Sequence, residues 1–326
     1  MPLLTSDDIS KLARRVLLHH GLSEHDAGVV AATILDAELT GRTSHGLVHL
    51  PRLVDVLKTS KGDSLRVEID TDTNALIDGG SSLGPVVANF AMEVGLSKVA
   101  KRGFAIVGAH TKDPFLHASM YTRMAADRGY VSLVLSDSKS RIPPYGSMTP
   151  VFGVNPLSVG FPCKPYPIIV DFAVSRITVS DVNEAARSGE RLPEGVAIDS
   201  EGQPTSDPTQ ALGGALLPVD DQKGAALALV VELLAGPLVN AKAGARIKRG
   251  RGFLFLLIDP SIFVSATQFE DDMRSIIDEI KASHPLPGVD EVFYPGEQSA
   301  RRRELALREG VEVRVETLDA IDKLLA

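Results

Sequence analysis

The chain has 326 residues, of which 44% are hydrophobic and 23% charged, and its formal net charge is −8. This composition is typical of a globular protein with a sizeable core, and the negative charge argues against a general nucleic-acid or anionic-membrane surface. Cys163 is the only cysteine, which excludes an internal disulfide, and no Cys/His spacing predicts a metal site. We see no leader-type N-terminus and no run of transmembrane length, so we expect a cytoplasmic protein.

Three helices are predicted over residues 6–60. Ser6, followed by two aspartates, is an N-cap signal, Gly21 ends the first helix, and Ser23 starts the second. The third helix is expected over residues 49–57 because its apolar residues recur at helical spacing.

From Gly62 onward, strands and helices alternate. Strands are expected at residues 65–69, 75–80, 104–107, 130–135, 156–162, 167–174 and 252–258. Helices are expected at residues 84–102, 116–128, 223–239, 266–282 and 300–309, and a short strand and closing helix at 311–326. The apolar helix 223–239 should be buried, and residues 186–221 should form a long loop without a core of its own. The mixture predicts an α/β protein with antiparallel elements.

The sequence Gly-Arg-Thr-Ser-His-Gly at residues 41–46, between the second and third helices, is the leading candidate for a functional segment. Glycines bring little bulk near a ligand, and an imidazole at such a junction can exchange a proton near neutral pH. The alternative is a helix-ending turn in which Ser44 caps the next helix and His45 lies at the surface.

No Gly-x-Gly-x-x-Gly dinucleotide fingerprint is present; residues 79–84 come close, but no acidic residue follows at the required distance. Two other segments could bind phosphate. One is the Tyr-Pro-Gly-Glu sequence at 294–297 with the three arginines at 301–303, where a helix dipole and guanidinium charge would act together. The other is Gln-Lys at 222–223. A solvated basic turn is the alternative for each, and the basic residues at 246–251 are interpreted as a surface loop.

Several further motifs occur in order along almost the whole chain. They lie at residues 152–156, 171–175, 193–195, 199–208, 213–218, 223–229 and 295–297. Together with residues 41–46 they resemble the malate/L-lactate dehydrogenase family, which lacks a Rossmann fold and includes ureidoglycolate and sulfolactate dehydrogenases and 2,3-diketogulonate reductase. In its motifs the chain is most similar to the Δ1-piperideine-2-carboxylate/Δ1-pyrroline-2-carboxylate reductases of that family.

The resemblance implies an α/β, non-Rossmann malate/L-lactate dehydrogenase-like fold with a mixed, largely antiparallel sheet and a helical N-terminal domain. Residues 1–62 would form the helical segment that carries the Ser-His motif, and residues 63–298 the NAD(P)-binding and substrate domain. Residues 299–326 would return as helices to the N-terminal domain. The resemblance also implies a homodimer acting on a small-molecule acid.

For the chemistry, the resemblance implies NAD(P)H-dependent reduction of a 2-oxo or 2-imino acid. His45 would be the proton donor, Ser44 its relay partner, and Asp181 the carboxylate that completes the relay. The alternative for Asp181 is a helix cap. The implied cofactor contacts are Asp171, Phe172, Ala173, Gln222, Lys223, Tyr294, Pro295, Gly296, Glu297, Arg301, Arg302 and Arg303. The arginines favour NADPH, because a 2′-phosphate calls for guanidinium donors, and NADH stays possible.

The chain departs from the family at the substrate side. His49 stands where the imine reductases have a carboxylate-binding arginine, and Arg52, one helical turn further on, could substitute for it. Val154 replaces a threonine next to the substrate. In the 111–117 loop, Pro114 and Leu116 replace the family's histidine and glycine, which would stiffen and fill the pocket unless His117 or Lys112 takes over their role.

Two classes of function therefore stay open. The first is an active enzyme: a reductase of a cyclic 2-imino acid such as Δ1-piperideine-2-carboxylate or Δ1-pyrroline-2-carboxylate, or a dehydrogenase of the malate, lactate or sulfolactate type. Asp181 and residues 213–229 favour the imine reductase. The second is a nicotinamide-binding protein with degraded catalysis, which the altered 111–117 loop and Val154 favour. The intact Ser44–His45 pair makes the active enzyme the preferred hypothesis.

Overall fold

The computed structural model describes residues 1–59, 64–244 and 251–326. Its helices are α1 (Ser6–His19), α2 (Glu24–Leu39), α3 (Leu50–Thr59), α4 (Gly84–Arg102), α5 (Ser119–Ala126), α6 (Val179–Ser188), α7 (Pro208–Gly213), α8 (Gln222–Ala235), α9 (Ala266–Ala282), α10 (Glu297–Glu309) and α11 (Val315–Leu325). Its strands are β1 (Leu3–Leu4), β2 (Arg66–Asp70), β3 (Asn74–Asp78), β4 (Phe104–Thr111), β5 (Val131–Ser136), β6 (Leu157–Phe161), β7 (Ile168–Phe172), β8 (Ala197–Ile198), β9 (Ala215–Leu216), β10 (Arg251–Ile258) and β11 (Val311–Glu312). The basic residues at 246–250 and the expected boundary at residues 62–63 lie outside the described residues.

A central sheet has the strand order β2-β3-β4-β10-β5-β6-β7. Its neighbouring strands are antiparallel except for the parallel pair β3 and β4. β10 pairs with β4 on one side and with β5 on the other, so the strand of this sheet that comes last in the sequence lies at its centre. The expected mixed, largely antiparallel sheet is confirmed.

Helices cover both faces of this sheet because its strands alternate their apolar side chains. On one face Phe253, Phe255 and neighbouring residues pack against α4 and α5. On the other face Leu254 joins a smaller core with α8.

A separate core holds the N-terminal helices. The apolar residues of α1, α2 and α3 pack together with Val311, Val313 and Ile321 from the C-terminal end. β1 pairs with β11, which fixes the two ends of the chain side by side. Thr5, and not Ser6, is the N-cap of α1: its side chain and that of Asp8 form a capping box.

Residues 179–216 have a core of their own, which corrects the expectation of a coreless loop. Val182 and Ala185 of α6 pack there with residues from α7, β8 and β9. The apolar residues of this region are scattered and follow no helical or strand period, so the sequence did not reveal them.

The helix α8 is buried on one face only, which corrects a second expectation. Val231 and Ala235 contact the sheet, whereas Leu229, Val230 and Leu233 are 42–51% exposed. By length and composition, residues 222–239 could span a membrane, and 44% of them are buried inside the protein. Packing against a sheet is typical of a core helix.

The helix expected at 116–128 begins at Ser119. Leu116 has φ +76°, which a helix does not permit, and His117 is buried in the loop ahead of it.

Candidate active site

The segment 41–46, called the Ser-His turn below, is fixed from behind by a buried carboxylate. The backbone nitrogen of Leu47 donates a hydrogen bond of 2.7 Å to Glu38 Oε1, at the end of α2. A Cβ atom at position 46 would lie 2.0 Å from the same oxygen. Burial raises the pKa of Glu38, while the hydrogen bond from Leu47 opposes that shift. A side chain at position 46 would therefore displace the Glu38 carboxylate from its hydrogen bond with Leu47, and this contact holds the turn between α2 and α3.

His45 is partly buried, and its ring is neutral at neutral pH. Its Nδ1 lies 3.0 Å from Ser44 Oγ, and the rings of His49 and His117 lie 5.7 and 6.3 Å from its own ring, centroid to centroid. Burial, followed by the charge of Arg42, lowers the pKa of His45 to about 4, and Asp181 opposes this shift. At neutral pH the ring is therefore able to accept a proton.

A cavity of about 970 Å³, called the large cavity below, lies against the Ser-His turn. Ser44, His49, Arg52 and Asp181 line it. His45 is not on its wall; the ring lies one hydrogen bond behind Ser44. The structure thus brings four of the predicted catalytic and substrate-binding residues to one cavity.

Asp181 has two contacts that the sequence presented as alternatives. It is the third residue of α6 and forms a capping box with Thr178, whose Oγ1 lies 2.7 Å from its carboxylate. It also lines the large cavity, and its charge raises the pKa of His45. Capping and an electrostatic influence on His45 therefore coexist.

The other predicted substrate-binding residues differ in their surroundings. Burial, followed by the charges of His45 and Arg52, lowers the pKa of His49 to about 4, and its ring is hydrogen-bonded to the backbone of Ser44. Arg52 forms an ion pair with Asp113, which is 2% exposed. Val154 packs against the core of residues 179–216 and lines neither of the cavities described here.

A second cavity, of about 270 Å³ and called the small cavity below, lies on the other side of the Ser-His turn. Thr40 and Arg42 line it, whereas Gly41, Thr43 and Ser44 line the large cavity. Neighbouring residues of this segment therefore line two different cavities.

Three arginines from different elements surround the small cavity: Arg42, Arg123 of α5 and Arg303 of α10. Arg42 lies 2.7 Å from Asp171, and Arg123 forms an ion pair with Asp36. The Nε of Arg303 is buried, 3.7 Å from Asp36, and has no hydrogen-bond partner. Gly296, the N-cap of α10, also lines the cavity, as do Asp127 and Glu304.

Only part of the predicted cofactor set meets at this cavity. Gly296 and Arg303 line it, and Asp171 lies behind Arg42. Arg301 pairs instead with Glu291 and Glu297, and Arg302 lies against Gly41. The expectation that 301–303 act as one cluster is corrected, because consecutive helical residues point about 100° apart.

The remaining predicted cofactor residues are structural or exposed. Tyr294 and Glu297 are buried, and Glu297 accepts hydrogen bonds from Lys281 and Arg301 that hold the 294–297 turn. Pro295 accepts a hydrogen bond from Ile169 on β7. Lys223 is 85% exposed and pairs with Asp220. The other positions lining neither cavity are Phe172, Ala173 and Gln222.

Sequence reasoning missed several charged residues near the two cavities. Arg42 lies inside the predicted 41–46 motif, and this position could have identified it as a candidate site residue. The fold buries Asp36 and Asp113 and pairs them with Arg123 and Arg52 over long sequence separations, which no local spacing reveals.

Residues 4–322 match the family model described as malate/L-lactate dehydrogenase. The chain is 33% identical to the malate/(S)-sulfolactate dehydrogenase of Methanothermus fervidus, over 95% of this chain and 94% of that protein. It is 31% identical to the Δ1-pyrroline-2-carboxylate/Δ1-piperideine-2-carboxylate reductase of Pseudomonas putida, over 98% and 95% of the two chains. The solved structure of the sulfolactate dehydrogenase from Methanocaldococcus jannaschii superposes with a TM-score of 0.90, at 30% identity over 99% and 96%.

The fold and these matches define an oxidoreductase of the kind that acts on small acids with a nicotinamide cofactor. The chain belongs to the malate/L-lactate dehydrogenase family.

Proposed function

We propose that this chain transfers a hydride between a nicotinamide cofactor and C2 of a small 2-oxo or 2-imino acid, with His45 moving the proton. The observation that carries the proposal is that Ser44, whose Oγ lies 3.0 Å from His45 Nδ1, lines a cavity that Arg52 and Asp181 also line. Arg52 supplies a positive charge for the substrate carboxylate, in a chain whose net charge is negative.

In the proposed mechanism the imidazole of His45 is the base when the substrate is oxidised, and its protonated form is the acid when the substrate is reduced. Because its pKa is about 4, the imidazole is free to accept, by way of Ser44 Oγ, the hydroxyl proton when a 2-hydroxy acid is oxidised, and it returns that proton by the same route in the reverse reaction. Ser44 Oγ, 3.0 Å from Nδ1, fixes the orientation of the ring. The bound nicotinamide supplies or accepts the hydride.

We propose a 2-hydroxy/2-oxo acid pair as the first substrate class. A neutral histidine is suited to remove a hydroxyl proton, and the similar sulfolactate and malate dehydrogenases act on such acids by name. A cyclic 2-imino acid is the second candidate. It is supported by Asp181 on the cavity wall and by the similarity to the Pseudomonas putida reductase.

We propose NADPH as the preferred cofactor, with its 2′-phosphate at the small cavity. The residues there fit a phosphate: Arg42, Arg123 and Arg303 line the cavity, and the helix N-terminus at Gly296 favours an anion. Any Cβ at position 296 would lie 2.7 Å from the backbone nitrogen of Ile169, so glycine is needed for this close approach.

Replacing the imidazole tests the role of His45. In His45→Ala, turnover should fall by roughly 10²–10⁴-fold because the proton carrier is gone, while NADPH binding stays near normal. NADPH oxidation is followed with pyruvate, oxaloacetate and Δ1-piperideine-2-carboxylate, with the exposed His25→Ala as control. A His45 variant that keeps most of its turnover contradicts the assignment. A wild-type chain that binds NADPH and reduces no acid supports degraded catalysis.

The two contacts of Asp181 can be separated with a matched pair of variants. Asp181→Asn should lower kcat/KM by about 10-fold or more, since it removes the charge that acts on His45. Thr178→Ala breaks the same capping box without touching that charge, so it should cost about 1 kcal/mol of stability and leave kcat/KM unchanged. Equal losses of activity in both variants would assign Asp181 to capping alone.

The cofactor proposal predicts a change in the choice between NADPH and NADH. In Arg303→Ala, the Kd for NADPH should rise by about 10-fold or more, and the Kd for NADH should stay the same. Arg308→Ala is the control, because Arg308 lies on the same helix but pairs with Glu309. The fluorescence of the bound reduced cofactor reports both constants. An equal weakening for the two cofactors would refute a 2′-phosphate contact.

We also propose that the chain is a homodimer in the cytoplasm. The resemblance implies the dimer, and the exposed apolar residues Leu229, Val230 and Leu233 of α8 offer a surface for it. Leu233→Asp should yield a monomer by light scattering at micromolar concentration, and Leu286→Asp, at another exposed site, should not. A monomeric wild-type chain would defeat the proposal.

A further inference from the structure

We infer that Asp113 is the positioning residue of the substrate-binding group: it holds Arg52 in place at the wall of the large cavity. The inference rests on the proposed function, in which Arg52 binds the substrate carboxylate. It gives a role to the 111–117 loop, whose sequence departs from that of the family.

Asp113 is tied to three different parts of the protein. Its carboxylate pairs with Arg52 of α3 through Oδ1 and accepts a hydrogen bond of 3.0 Å from the backbone nitrogen of Gly84 through Oδ2. The charge of Arg251, at the start of β10, also acts on it. With a side chain 2% exposed, Asp113 has little freedom to move.

The backbone on either side of this contact is closely packed. A Cβ atom at Gly84 would lie 2.2 Å from the carbonyl oxygen of Pro114 and 2.5 Å from that of Asp113. The proline also restricts the backbone of the residue before it, which here is Asp113. The loop therefore presents the carboxylate to α3 from a fixed position.

Arg52 keeps capacity for a ligand after pairing with Asp113. Its side chain is 37% exposed on the wall that also carries Ser44 and Asp181. Its Nη1 has no hydrogen-bond partner but is buried, so the donors left for a ligand are those on the exposed part of the side chain. A guanidinium has five N–H donors, so one carboxylate does not exhaust it. A free arginine side chain loses conformational entropy when it binds, and Asp113 removes that cost in advance.

Oxalate, a non-reacting mimic of a 2-oxo acid, tests this arrangement in the presence of NADPH by titration calorimetry. Asp113→Asn keeps the size and an acceptor for Gly84 but removes the charge that holds Arg52. We expect oxalate to bind about 10- to 100-fold more weakly, with the Kd for NADPH unchanged. Asp72→Asn, which breaks an exposed ion pair with Arg102, should bind oxalate as the wild type does.

The double variant distinguishes positioning from a general structural effect. If Asp113 acts through Arg52, Arg52→Ala with Asp113→Asn should bind oxalate no more weakly than Arg52→Ala alone. The inference is wrong if the double variant weakens oxalate binding by the product of the two single-variant effects. It is also wrong if Asp113→Asn binds oxalate as the wild type does. Wild-type binding in Arg52→Ala would overturn it as well. Failure of the proposed function is detected by a different measurement, the turnover of His45→Ala, which would then be unchanged. That result does not depend on oxalate binding.

Discussion

The buried carboxylate of Glu38 determines the geometry on which the site depends. A buried carboxylate is costly unless it is paired or hydrogen-bonded, and here the backbone nitrogen of Leu47 supplies the donor. That contact draws the chain back onto the end of α2 so closely that position 46 has no room for a Cβ atom. Ser44 and His45 therefore stand on a short, tightly held turn instead of a free loop.

The same turn lines two cavities. Its residues alternate between the large cavity, which carries Ser44 and Arg52, and the small cavity, which carries Arg42. An acid in one and a cofactor phosphate in the other would both find arginine charge, although the chain as a whole is negative. A guanidinium group can attract a bound anion even in a chain of negative net charge, because the Coulomb interaction is strongest at short range and low dielectric.

The sequence predicted what depends on local pattern. The helices of the N-terminal segment, the mixed sheet and the Ser-His motif follow from periodicity, capping residues and ordered motifs. It did not predict contacts created by the fold. Arg52 and Asp113 are 61 residues apart, and Asp36 and Arg123 are 87 apart. The three consecutive arginines looked like one cluster, yet helix geometry sends Arg301 to Glu291 and leaves Arg303 at the small cavity.

The low pKa of His45 also connects substrate binding to proton transfer. Three imidazoles, those of His45, His49 and His117, are neutral at neutral pH because burial lowers the pKa of each to about 4 or below. Asp181 acts against this shift at His45, and Arg42 acts with it. On the proposed function, the carboxylate of a bound 2-oxo acid adds a further negative charge to the large cavity and raises the pKa of His45. The acidic form that reduction requires is then favoured when substrate is bound, and the free enzyme keeps the neutral form that the buried site tolerates.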